Sequence, residues 1–377
     1  MTEFNLEQIR ARFPVFKKKT YLNSCSQGAL SDTVEAGIQE YISTWHERGS
    51  PWDVWTEQYE EARNAFARFI GASPGEVAVI ASASAGINAV ASSFDFDRRN
   101  KIVMGEFEFP TMGHVWLAQQ PRGAAVEFVP ASHNSIPAES YARVIDDRTL
   151  MVPVTQICFM NGFRSDLRAI TQIAHDNGAM VMVDNYQDCG TRPIDVKALD
   201  VDFFVTGTLK YMLGPPGLAF LYVKEGLIPQ LTPTASGWFG QTDPFAFNPK
   251  LFSPAPSARR FEAGTPPIPS IYAALPAIEF LEEIGLANIA SHIASLTSAM
   301  VEGAARLGIE IKTPPDSVGP LVVLRSRDAV ALVEALSKKD IIASSRHDGL
   351  RISFHVYNSL EDVRRVLDVL EQNMELL

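Results

Sequence analysis

The sequence predicts an α/β fold, in which a large unit has a mostly parallel sheet sandwiched by helices and a smaller C-terminal α/β unit follows. Three observations lead there. Short, continuously apolar runs such as Ala-Met-Val-Met-Val at 179–183 and Leu-Ala-Phe-Leu-Tyr-Val at 218–223 lack polar alternation, as strands do when both sheet faces are covered. From about residue 30 to 224 such runs alternate with segments of helical period, the order that parallel βαβ units require. Between 227 and 269 the text turns rich in Pro, Phe, Gly and Ser and loses its period, and regular text then resumes. The division expected from that break is a large unit at 18–255 and a small unit made of 1–17 with 256–377.

Periodicity places helices at 33–45 and 57–70. A strand at 76–82 runs into a helix at 85–92, and strands are expected at 101–104, 125–129 and 149–155. A helix at 166–177 leads to the strand at 179–183, with further strands at 201–205 and 218–223. Beyond the aperiodic stretch come helical text at 271–307, a strand at 319–325, a helix at 328–338, strands at 341–345 and 350–356, and a last helix. Asn358, with Glu361 three residues on, has the form of an N-cap and its partner, opening that helix at Ser359.

Composition narrows the function. Of 377 residues, 33 are Lys or Arg and 44 are Asp or Glu, a net charge of −11 that speaks against nucleic acid or an anionic membrane as the main partner. A hydrophobic share of 46% excludes disorder. Cys25, Cys158 and Cys189 share no C-x-x-C spacing, so neither a disulfide framework nor a metal site is expected. The N-terminal text lacks a basic segment followed by an apolar one, and no apolar run approaches the ~20 residues of a membrane helix. A cytoplasmic metabolic enzyme is the expectation.

In open α/β sheets ligands sit beyond the carboxyl ends of strands. Three strand ends carry chemistry here. Asp184 directly follows the run at 179–183. Alone it reads as a turn or cap residue, but if buried it needs a cationic partner. Lys210 lies between an apolar strand and the Gly/Pro-rich turn Gly214-Pro-Pro-Gly217. It is either a solvated lysine or a desolvated amine suited to condensing with a carbonyl. Ser82-Ala83-Ser84-Ala-Gly-Ile-Asn88 is a run of small residues between strand and helix, which either fills a tight corner or lets backbone N–H groups approach a phosphate. Together they match the three handles of pyridoxal 5′-phosphate: an anion cradle, a carboxylate for the pyridine nitrogen and a lysine for the aldehyde. No G-x-G-x-x-G, P-loop or H-E-x-x-H motif competes.

At these residues the sequence resembles the class V aminotransferase family of fold-type-I pyridoxal-phosphate enzymes, over nearly the whole chain. Phe13-Pro14-Val15 and the run from Tyr21 to Leu30 are similar to its N-terminal segment, Val183 to Gln187 to its acid-plus-polar motif, and Thr208-Leu209-Lys210 to its lysine segment. Arg260-Phe-Glu-Ala-Gly-Thr-Pro266 is among its most specific signatures. The resemblance implies roles. Lys210 would anchor the cofactor and act as general base, Asp184 would hold the pyridine nitrogen, Gln187 the phenolic oxygen, and Phe109 would stack on the ring. Ala83, Ser84 and Thr208 would bind the phosphate, with Thr206 in reserve. Thr265 and Trp238 would reach the phosphate of a neighbouring subunit, which implies a homodimer with shared sites. Arg351 would grip the carboxylate of an amino-acid substrate, with Asn23 and Trp52 beside it. The Trp52–Trp55 segment fits either an apolar substrate mouth or a subunit interface.

Phe109-Pro110-Thr111 and Gly237-Trp-Phe-Gly240 look like kynureninase, and the remainder also looks like selenocysteine lyases and cysteine desulfurases. Departures matter as well. Leu209 precedes the lysine where desulfurases carry His and kynureninases Tyr. Met112 stands where kynureninases have Asp, and Gln156 to Gly162 departs from their pattern. The run from Ser344 to Gly349 reaches Arg351 without the desulfurase cysteine. The resemblance therefore implies a C–S or C–Se β-lyase or an aminotransferase, not a persulfide-forming desulfurase. A kynureninase-like hydrolase or an epimerase is the alternative. A non-catalytic pyridoxal-phosphate-binding protein is disfavoured by the complete Lys210, Asp184 and Arg351 set.

Overall fold

In the computed structural model, which describes residues 5–377, the chain opens with helix α1 (Leu6–Ala11) and a two-residue strand, β1 (Thr20–Tyr21). Two long helices follow, α2 (Asp32–Arg48) and α3 (Trp52–Phe69). Ser31 caps α2 by accepting from Val34 N–H, and Gly49 ends it at φ +73°. The apolar runs then build β2 (Val77–Ile80), β3 (Lys101–Gly105), β4 (Ala125–Val129), β5 (Thr149–Thr155), β6 (Met180–Asp184), β7 (Phe203–Gly207) and β8 (Ala219–Val223).

These seven strands form one sheet in the order β2-β8-β7-β6-β5-β3-β4, in which only β8 runs against its neighbours. Every residue of β5, β7 and β8 is buried, as expected of runs without polar alternation. Between strands lie α4 (Ala83–Ser92), α5 (Pro110–Leu117), α6 (Ala138–Ala142) and α7 (Leu167–Asp176). Periodicity missed α1, α5 and α6 because such short helices scarcely complete two turns.

Helical text at 271–307 forms two helices, α8 (Ile268–Ile284) and α9 (Leu286–Arg306), bent by 78°. Gly285 takes φ +86°, which ends α8 and restarts the chain in a new direction. No single described helix is long and apolar enough to cross a membrane. Helix α8 packs on α2 and α3. A Cβ at Gly37 would stand 2.3 Å from Tyr272 O, so glycine sets the approach of α2 to α8.

After α9 come β9 (Leu321–Arg325), α10 (Ala329–Ser337), β10 (Ile341–Ile342), β11 (Ser344–Arg346), β12 (Gly349–Ser353) and α11 (Leu360–Glu371). Strands β11, β12 and β9 form an antiparallel sheet, while β10 pairs in parallel with β1. The strand expected at 341–345 is thus divided between two partners. The expected cap of α11 is corrected by one position. Ser359 is the N-cap and Asp362 its N3 partner, because Arg10 fixes the Asp362 carboxylate at 2.5 Å. Asn358 instead accepts from His355 N–H and donates to Tyr21 O, both at 2.8 Å.

The aperiodic stretch contains only short 3-10 turns and is pinned by its charged residues. Arg260 donates to the carbonyls of Ile228, Leu231 and Ala255. Glu262, fully buried, accepts from Val79 N–H at 2.8 Å, from Arg63 at 2.6 Å and from the Tyr59 hydroxyl, which ties the segment to β2 and α3. Replacing Arg63 by Ala leaves the Glu262 charge buried without its cation. A loss of about 3–5 kcal/mol in urea denaturation is expected, and a loss below about 1 kcal/mol would remove this ion pair as the anchor.

Candidate active site

The carboxyl ends of β5, β6 and β7 lie side by side, and they place the acid and the lysine. Asp184 is the last residue of β6, opposite Thr155 of β5 and Val205 of β7. Its side chain is buried and accepts from Tyr186 N–H at 2.9 Å. Burial raises its carboxyl above the usual range, while Lys210 draws it down. Lys210 follows three residues after the end of β7. Burial pushes its amine down to about 8, against the pull of Asp184, so an appreciable fraction is the free base near neutral pH. Nζ lies 4.4 Å from the centre of the Tyr186 ring and 5.5 Å from that of Phe109. A Cβ at Gly207 would meet the Tyr186 ring at 2.3 Å, so that glycine lets the ring lie close to the strand end.

The small-residue run forms the N-terminus of α4. Ser82 caps it by accepting from Ala85 N–H at 3.1 Å, and the N–H groups of Ala83 and Ser84 lie in the first turn, where helices leave donors free. The Ser84 hydroxyl donates to Thr111 Oγ1 at 3.4 Å, which draws together the N-termini of α4 and α5. Pro110 opens α5 at its first position, where a missing N–H costs nothing. Asn88 braces the cradle by donating to Ser84 O at 2.9 Å. Thr208 is placed differently from expectation. Its hydroxyl donates to Pro215 O at 2.6 Å and so braces the turn after Lys210 instead of offering a proton to an anion. Thr206 is fully buried, with its hydroxyl directed at Gly207 O.

Gln187 donates to Cys25 O at 3.0 Å, and its buried Oε1 has no partner among the described residues. Phe109, 42% exposed, packs edge-on against Phe159 at 5.1 Å. Thr265 lines a cleft of about 400 Å³ with Ala81, Ala85 and Asn88 around α4. Trp52 and Trp238 meet edge to face at 6.4 Å, and Trp238 also stacks towards Phe247. These two rings thus build one aromatic cluster with the long loop.

Arg351, on β12, is only 1% exposed. Nη1 donates to Phe159 O at 3.1 Å, and Nη2 to the hydroxyls of Ser26 and Ser344 at 2.8 Å each. Nε is buried without a partner, and the hydrogen bonds of this arginine go to neutral oxygens among the described residues. Neutral acceptors orient the fork and leave its charge unmatched. Asn23 bridges to Ser353, two residues from Arg351. Cys25, Cys158 and Cys189 are all buried, and Cys25 packs with Tyr211, the residue after Lys210.

Sequence reasoning gave no role to Tyr186, Ser26, Ser344, Phe159 or Glu108. Tyr186 had a signal, standing between Asp184 and Gln187; the two serines had none. Glu108 accepts from Thr155 N–H at 2.8 Å through Oε1, while Oε2 is buried and unpartnered. Burial first, then the Asp184 charge, pushes its carboxyl up to about 8.

The donor set fits pyridoxal phosphate. A buried carboxylate stands at one strand end and an amine of lowered pKa at the next. Phe109 and Tyr186 flank that amine, and free N–H groups with two hydroxyls lie at paired helix N-termini. Glu108 adds a pH signature. From its ordinary value of 4.5 up to about 8, the unfolded chain has lost this proton while the folded chain retains it. The unfolded state binds fewer protons there, so stability falls as pH rises, by at most about 1.4 kcal/mol per unit. Urea denaturation of the parent and of Glu108→Gln at about pH 5 and about pH 8 should show the parent losing more stability. An equal loss in both would mean that Glu108 is already ionised at the lower pH.

The class V aminotransferase family matches the chain over residues 30–366. An uncharacterized aminotransferase of Bacillus subtilis, YcbU, is 37% identical over 365 residues, 96% of each chain. The apo cysteine desulfurase from Thermococcus onnurineus superposes over the full length of both chains with a TM-score of 0.91 at 25% identity. A mutant of C-DES with glycine covalently linked to its pyridoxal phosphate has the same fold, with a TM-score of 0.89 at 21% identity over 96% of this chain and 98% of that one. This chain belongs to the class V aminotransferase family of pyridoxal-phosphate-dependent enzymes.

Proposed function

We propose that the enzyme binds an α-amino acid through Arg351 and breaks a bond at its Cα or Cβ, either by β-elimination at a C–S or C–Se bond or by transamination. The observation that carries this reading is the buried, carboxylate-free Arg351 fork, which shares a site with a lysine of lowered pKa. Bound pyridoxal phosphate supplies an electron sink for the pair released at Cα. The chain's residues do the rest. The cradle of Ala83, Ser84 and Thr111 holds the anionic end. Asp184 would hold the ring nitrogen, Gln187 would donate to the phenolic oxygen, and Phe109 would wall the ring. Lys210, as its free amine, would take the Cα proton. Arg351 supplies the cation for the carboxylate, with the Ser26 and Ser344 hydroxyls beside it.

Persulfide transfer is disfavoured by the connection of β11 to β12. His347 and Asp348 alone close that hairpin, with no cysteine and no loop long enough to carry sulfur away. Three buried, unpaired cysteines support a cytoplasmic setting. Exposed Phe245, Phe247, Leu251 and Phe252 beside Trp238 support a homodimer, with Trp238 and Thr265 near the partner's site. We place the division between the two units at Gly285 instead of 255/256, because α8 packs on α2 and α3.

The test is a panel of amino acids added to the holoenzyme while the cofactor's absorbance and the release of keto acid, sulfide and ammonia are followed. Sulfide or selenide with ammonia and keto acid indicates lysis. Keto acid that accumulates with an aminated cofactor indicates transamination. Hydrolysis of kynurenine, or racemisation without release, would replace both. Borohydride should fix the cofactor on Lys210, and peptide mapping to another lysine rejects the site. Asp184→Ala should lose activity far more than cofactor content, since the cradle and the lysine link remain. Arg351→Ala should weaken amino-acid binding by about 2–4 kcal/mol with cofactor content intact; unchanged binding would withdraw its role.

A further inference from the structure

The site carries more positive charge than a neutral amino acid uses. Register in the small sheet pairs Ser344 with Arg351 and Arg346 with Gly349, so Ser344, Arg346 and Arg351 stand on one sheet face. Leu321 and Val323 share that face, opposite Ser353 and Arg351, and pack with Cys25 and Tyr211 beside Lys210. The face is therefore the one turned to the lysine. Arg346 is exposed at its rim and makes one side-chain hydrogen bond, to its neighbour's carbonyl, Ser345 O, at 2.7 Å. No carboxylate pairs with it among the described residues. The nearest acid along the chain, Asp348, is turned instead to Lys312 and Arg325.

Electrostatics agree with the placement. Burial first, then the charge of Arg351, lowers the Arg346 pKa, and both arginines add to the depression of Lys210. Two guanidinium groups thus lie near Lys210 in a chain of net charge −11. The phosphate end of the cofactor belongs to the α4 cradle, and the substrate's α-carboxylate satisfies Arg351. Arg346 is left without a counter-charge.

We propose that Arg346 determines specificity by gripping a second anion, so that the substrate is an α-amino acid whose side chain ends in a carboxylate, sulfinate or similar anionic group. This rests on the reading of Arg351 as the α-carboxylate holder. At the rim, a guanidinium paired with an anion keeps part of its water, and discrimination of about tenfold or more is the scale expected.

The experiment titrates the holoenzyme, by cofactor absorbance, with aspartate, glutamate and cysteine sulfinate against asparagine, glutamine and alanine, in the parent, Arg346→Gln and Arg346→Lys. In the parent at least one acidic amino acid should bind about tenfold or more tightly than its neutral analogue, with a preference that weakens as salt is added. Arg346→Gln should bring the ratio to within about threefold while leaving neutral amino acids bound as before, and Arg346→Lys should restore part of it. Equal binding of acid and amide in the parent, or a preference that survives Arg346→Gln, overturns the proposal. So does an Arg346→Gln variant whose only change is in oligomeric state. An absorbance that responds to no amino acid removes the proposed function together with this inference. Neutral amino acids that bind in an Arg351-dependent way, with no acidic preference, remove this inference alone.

Discussion

The candidate site depends on the dehydration of one acid and one amine at neighbouring strand ends. Asp184 and Lys210 are both buried, and burial acts on them in opposite directions, raising the carboxyl and lowering the amine. Each charge partly offsets the desolvation cost of the other. An amine held near a pKa of 8 needs no strong base to become a nucleophile, and a carboxylate in a dry setting binds a protonated ring nitrogen more firmly than it would in water. The seven-stranded sheet makes this possible because its central strands are covered on both faces.

Around that pair the molecule assembles parts from distant segments. Residues 23–28 run beside the turn that follows Lys210. Gly28 N–H donates to Leu209 O at 2.8 Å, and a Cβ there would lie 2.4 Å from Lys210 O. The same segment brings Ser26 to Arg351 and the Cys25 carbonyl to Gln187. An N-terminal strip thus joins the large sheet to the small one, and the close approach at Gly28 leaves no room for a side chain there. Motion of the small sheet would carry Arg351 with it, which couples the position of that guanidinium to this strip.

The family signature from Arg260 to Pro266 serves two purposes. Arg260 and Glu262 hold the long loop to the turn after β8 and to β2, and Thr265 lines the cleft beside α4. Residues that look like ligands in a motif can thus be anchors. Thr208 shows the same lesson, because its hydroxyl serves the backbone of the turn that positions Lys210.

Sequence by itself determined the alternation of covered strands and helices, and the acid, lysine and small-residue cradle at strand ends, because each of these is written within a few residues. The resemblance to relatives added Arg351, again through a local motif. Tertiary structure decided what surrounds them. Ser26 and Phe159 reach Arg351 across 325 and 192 positions, and no spacing rule links residues so far apart. The cap of α11 moved to Ser359 because Arg10, from the other end of the chain, holds Asp362. Whether Glu108, Thr208 and Arg346 face a ligand, a carbonyl or solvent depends on burial and on which neighbours absorb their hydrogen bonds and charge, quantities that exist only once the chain has packed.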